Sequence, residues 1–106
     1  MKTSEILKAA KERIGTPDKW HKGQWAKGAS LNDLRDGSDA PCCAEGALHW
    51  VKSDPRRQRE AIDILNRLAT AKGFGGTLNF NDHSAITHAD IMALFDSAIA
   101  EAEARE

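Results

Sequence analysis

The chain of 106 residues lacks any run of eighteen apolar residues, so it offers no segment that would cross a bilayer as a helix. Its first fifteen residues, MKTSEILKAAKERIG, are amphipathic and lack the apolar centre of a signal peptide, so the expected compartment is the cytosol. An excess of one charge is also missing. Fifteen basic and sixteen acidic side chains leave a net charge of −1, which argues against a protein that grips nucleic acid through overall charge, although it leaves room for a local basic patch. Cysteine is scarce, and the only two, Cys42 and Cys43, are adjacent. An ordinary intrachain disulfide framework is therefore excluded, both thiols are expected to be reduced, and stability must come from packing. A chain this short makes one domain, residues 1–106, burying about two-thirds of its unfolded surface.

Several site motifs are missing as well. Gly73 to Gly76 has neither the Lys-Ser/Thr pair nor the preceding strand of a phosphate-binding loop. Asp33, Asp36 and Asp39 lack the alternating spacing and terminal glutamate of a calcium loop and read as turn formers. Zinc sites space paired ligands by two to four residues, which neither the contiguous cysteines nor His21, His49, His83 and His88 do. The residues thus imply no metal and no cofactor. Internal repeats are absent, and the one biased stretch, Ala98 to Glu106, suits a fraying helix end.

The periodic segments that remain are helical. Ile6, Leu7, Ala10 and Ile14 share a face, with Ser4 placed to cap the start and Gly15 and Pro17 to stop the helix. Residues 16–41 break the pattern with three glycines, Trp20, Trp25 and Asp33, Asp36 and Asp39, predicting a long loop with at most one short turn near Leu31 to Leu34. Ala44, Ala47, Leu48 and Val51 predict a short helix from about Cys42 to Lys52. Asp54 and Pro55 open a third helix with Ala61, Ile62, Leu65, Leu68 and Ala69 as its stripe, closed at Lys72-Gly73. Thr77 to Phe80 suggests a short extended piece, and Thr87 with Asp90 forms a capping box before Ile91, Leu94, Phe95, Ala98 and Ile99. The expected fold is mainly α: a compact four-helix arrangement with an ordered loop between helices one and two. Ile6, Leu48, Ile62, Leu65, Leu94, Phe95 and Ile99 should form its core, closed on one side by Trp20 or Trp25.

Chemistry-bearing residues gather in two islands, Cys42 to Leu48 and Phe80 to Asp90. A thiol in the first turn of a helix feels the dipole and free amides that favour thiolate, so Cys43 with His83 or His88 as base and Asp82 as orienter would make a cysteine-dependent hydrolase. The competing reading, preferred here, makes Cys43 a small buried apolar residue. Asn81 and Asp82 are short polar acceptors suited to the free amides at the start of the Cys43 helix, an arrangement that would clip the two islands together. Trp20 to Lys27 interleaves aromatic and basic side chains, as surfaces that stack bases do, but tryptophans in small helical proteins more often cover the core. Nucleotide or nucleic-acid binding through the Trp20–Trp25 loop is therefore an alternative that is not favoured.

Trp20-His21-Lys22-Gly23, Asp33 to Gly37, Cys43-Ala44-Glu45-Gly46-Ala47-Leu48, Phe80-Asn81-Asp82 and Thr87 to Asp96 together resemble a family of small uncharacterised proteins from actinobacteria and their phages. Phe80 stands where that family's pattern has tryptophan, which preserves the aromatic contact. The resemblance implies a phage or mobile-element setting and a host-interaction or anti-defence accessory role, without an established activity. Taken together, these readings give a small intracellular binding protein that engages a host or phage protein or a small ligand. Trp20, Trp25, Cys43, Asn81, Asp82 and His88 are its candidate binding residues.

Overall fold

The computed structural model describes residues 1–106 and contains six α-helices and no strand. These are α1 (Thr3–Arg13), α2 (Leu31–Arg35), α3 (Ala44–Trp50), α4 (Pro55–Ala71), α5 (Thr77–Asp82) and α6 (His88–Arg105), with a 3-10 turn at Pro17–Lys19. The count exceeds the expected four because two short pieces are helical. One, α2, lies where the short turn in the long loop was expected, and Ser30 and Asp33 cap it reciprocally.

The other, α5, replaces the extended piece expected at Thr77 to Phe80. Gly76, at φ +136, turns the chain, and the Thr77 amide then donates to Asn66 Oδ1 of α4 at 2.9 Å. Thr77, Phe80 and Asn81 come to the buried side at helical spacing. A short run of β-favouring residues is thus coiled by a partner on another helix, since local propensity is a weak constraint over six residues. An added Cβ at Gly76 would lie 2.4 Å from Asn66 Oδ1, so the same glycine also makes room for that contact.

Helix α1 packs on α3, α4 and α6, and α4 packs on α6, which leaves α2, α3 and α5 to build one end of the molecule. A single cluster of 21 buried residues includes Ile6, Leu48, Leu65, Leu94 and Phe95 as expected. Ile62 and Ile99 are corrections: both sit half-buried at the margin, while Ile64 and Ile91 are fully buried. At about 100° per residue, Ile62 lies roughly a quarter-turn from Ala61, and Ile99 stands similarly off the Ile91–Phe95–Ala98 line, so each occupies the edge of its stripe.

The expected Ser4 cap is also corrected. Ser4 lies inside α1, which begins after Lys2, and the Lys2 amide donates to the Glu5 carboxylate at 2.7 Å. Ser4 instead donates through its amide and hydroxyl to the Glu106 carboxylate, at 3.2 and 2.6 Å. This ties the end of α6 down where fraying was expected, and the bond to the Ser4 hydroxyl holds the Glu106 carboxyl below its ordinary range. The Thr87–Asp90 capping box forms as the spacing predicts, and hydrogen bonds from the Thr87 amide and hydroxyl lower the Asp90 carboxyl.

Candidate functional site

The two islands meet. Cys43 is the N-cap of α3, and its sulfur accepts from the Gly46 amide at 3.2 Å. The next free donor of that helix start, the Ala44 amide, is taken by Asn81 Oδ1 at 3.0 Å. Asn81 is fully buried, and its side chain reaches four partners. Its oxygen also accepts from the Trp20 indole at 2.7 Å, while its nitrogen donates to the His21 carbonyl at 3.0 Å and to Asp82 Oδ1 at 2.9 Å. Both donors and the carbonyl oxygen's two acceptor positions are thus engaged, as a buried amide requires.

The same network holds down the long loop. Asp82 Oδ1 accepts from the Gly23 amide at 2.8 Å, and the Lys22 ammonium donates to the carbonyls of His83 and Ile86 at 2.6 Å each. Main-chain bonds reinforce it: Cys42 N–H to the Lys19 carbonyl, His21 N–H to the Cys42 carbonyl, Cys43 N–H to the Trp25 carbonyl and Lys27 N–H to the Pro41 carbonyl. From the far side, the Arg13 guanidinium donates to the carbonyls of Ser38 and Ala40 and lies over the Trp50 ring. The Trp20 ring, half-buried, tilts against His88, and Trp25 meets His49 edge-on.

Gly46 is the steric counterpart of this clip. A Cβ there would stand 2.7 Å from the Trp25 carbonyl oxygen and 3.0 Å from Leu34 Cδ1, so the loop lies directly against the glycine's bare face. The Cys-Ala-x-Gly-Ala motif therefore supplies a cap, two small packing residues and a seat for the loop.

The structure does not join Cys43 to a base. His88 Nε2 donates to the Ile14 carbonyl at 2.7 Å, while His83 Nδ1 accepts from the Ala85 amide at 3.1 Å and its ring packs against Phe74. Cys43 is 1% exposed. Burial pushes its thiol up to about 12, against a smaller opposing effect of the Gly46 amide bond. Burial also raises Cys42, partly offset by the charge of Arg13. Helix-start geometry alone would lower a thiol, but removal from water outweighs it here. No three His, Cys, Asp or Glu side chains converge where they could hold a metal ion.

The profile of a family of unknown function, DUF6197, matches residues 1–101. The chain belongs to that family. The match takes in both islands and the long loop, so the clip lies within the family's own extent. No curated protein and no solved structure matches the chain.

Of the six candidate binding residues, Trp20, Cys43, Asn81 and Asp82 join in the clip through side chains and Trp25 through its carbonyl, with His88 against Trp20. Sequence reasoning missed Lys22 and Arg13 as loop fasteners. The available signal for Lys22 was its place inside Trp-x-x-Gly, whereas Arg13 looked like an ordinary cation in the last turn of α1. No helix of the structure is long and apolar enough to cross a membrane.

Proposed function

We propose that this chain is a small accessory binding protein of phage or mobile-element type, which engages a host protein or a small ligand through the face built on the clipped loop. The observation that supports it is Asn81: a fully buried amide spends every hydrogen-bonding position on fixing the loop and the start of α3. A preorganised loop loses less conformational entropy on binding, which favours a recognition role. On its outer side the loop forms a shallow groove of about 470 Å³ along Gln24, Trp25, Ala26 and Ala29. The phage setting and the host-directed role rest on the family resemblance of the motifs. A cysteine hydrolase is disfavoured because the Cys43 sulfur is buried and the imidazoles of His83 and His88 are otherwise engaged. Nucleic-acid stacking by Trp20 is disfavoured because its indole N–H and the Lys22 ammonium both point into the protein's own bonds.

A photo-crosslinking residue at exposed Gln24, compared with one at exposed Arg57 on α4, tests the reading in host cells expressing the full chain. A discrete adduct confined to position 24 is expected. Its absence, together with fast alkylation of folded Cys43 that depends on His83 or His88, would replace the binding reading with the hydrolase.

A further inference from the structure

Five of the fifteen lysine and arginine side chains pair with a carboxylate. Lys8 pairs with Glu103, Lys11 with Asp96, Arg57 with Glu60, and Arg67 and Arg105 with Glu101. Of the ten without an ion pair, Arg35 and Arg59 line the same groove. That groove, about 380 Å³, lies where α2, α3 and α4 meet and is walled by Arg35, His49, Pro55, Gln58, Arg59 and Ile62, with no carboxylate among them.

One of its two guanidiniums, that of Arg35, is held in place. An Arg35 Nη2 donor meets His49 Nδ1 at 3.3 Å, so the imidazole acts as acceptor there, and its opposite nitrogen faces Glu45 at 3.8 Å. The His49 ring is further packed by the edge of Trp25. The Gln58 amide donates to the Leu48 carbonyl at 3.2 Å, which anchors the groove's floor. The Asp54 carboxylate beside Pro55 is turned to the Arg56 amide as the cap of α4. Two guanidiniums without an ion pair thus share a concave site with no carboxylate in its wall, one of them oriented by a histidine.

We infer that this groove is a binding site for the phosphoryl group of a small phosphorylated ligand, received by the Arg35 and Arg59 guanidiniums with His49 as the orienting partner of Arg35. Guanidinium presents paired donors that match phosphate oxygens, and a second guanidinium shares the dianion's charge. The groove's volume suits a phosphoryl group with a sugar-sized attachment, for which Pro55 and Ile62 supply the apolar wall. This site is separate from the loop face described above and stands independently of it.

The test is a titration of the full-length protein, at constant ionic strength, with inorganic phosphate and with a nucleoside monophosphate, following the side-chain nitrogen resonances of its arginines. Saturable shifts confined to Arg35, Arg59 and the His49 ring are expected. Arg35→Gln and Arg59→Gln should each weaken binding by about tenfold or more, and Arg35→Lys, which keeps the charge but loses the fork, by somewhat less. Arg57→Gln, whose side chain pairs with Glu60 outside the groove, should leave binding unchanged. Shifts that grow linearly and are reproduced by chloride would overturn the inference, as would equal weakening by Arg57→Gln. A single-stranded oligonucleotide that binds where the monophosphate does not, and shifts Arg56, Arg57 and Arg67 as well, would also overturn it in favour of a nucleic-acid surface.

Discussion

Asn81 makes more hydrogen bonds than any other side chain of the site. Its truncation would leave the Trp20 indole, the Ala44 amide and the His21 carbonyl without their partner in a buried setting. Each orphaned buried group costs more than the net worth of the bond it lost. Asn81→Ala should therefore lower stability by about 2–4 kcal/mol in chemical denaturation, with Trp20 fluorescence shifting as the loop loosens. A loss near zero would mean that the main-chain bonds hold the loop unaided. Cys43 makes a pH prediction. Its folded-state pKa, about 12, lies above the value of 9.0 for an ordinary cysteine, so the folded state retains the proton over that interval while the unfolded chain releases it. The contribution is fully present below about pH 9 and is lost as pH rises toward 12. Unfolding free energy measured from pH 8 upward should fall less steeply in Cys43→Ala than in the unmodified protein, and parallel curves would show that the thiol is not buried as described.

At the scale of elements, α3 is defined as much by what lies against it as by its own periodicity. Gly46 would gain helix propensity on conversion to alanine, yet its new methyl would press on the Trp25 carbonyl and Leu34. Backbone cannot swing aside as a flexible side chain does, so the steric term should win. Gly46→Ala is expected to destabilise by about 1–3 kcal/mol, read as a lower denaturation midpoint. An unchanged or raised midpoint would show that the loop can withdraw from α3. Helix α5 illustrates the converse, because its coil depends on Asn66 of α4 and on Gly76 rather than on its own six residues. Helices α4 and α6 were legible because each spans several turns with a cap and a sustained stripe. Helix α5 was not, since one and a half turns of Thr, Leu, Asn and Phe carry no period that separates helix from strand.

Over the whole molecule, α1, α4 and α6 form the packed body while the loop and the short helices close one end. Leu65 lies fully inside that body, and Ile62, one turn earlier on α4, lies on its margin. Leu65→Ala should cost about 2–5 kcal/mol, and Ile62→Ala about half of that or less, because a marginal cavity is refilled by solvent or by neighbouring side chains. Thermal or denaturant unfolding of the two variants checks the contrast, and equal losses would place Ile62 in the core after all. The amino-acid sequence by itself determined a mainly helical chain, the capping box at Thr87, the placement of the four longer helices and the residue types from which the clip is built, since these are signals of one to four residues' range. Only the tertiary structure decided that Asn81 rather than Asp82 would take the α3 amide, that Lys22 and Arg13 would fasten the loop, that α5 would coil, and that the Cys43 sulfur would be closed off from both histidines. The reason is geometric: hydrogen-bond partners 37 and 61 residues away, and the burial that sets a thiol's ionisation, depend on how helices pack and not on the order of neighbours along the chain.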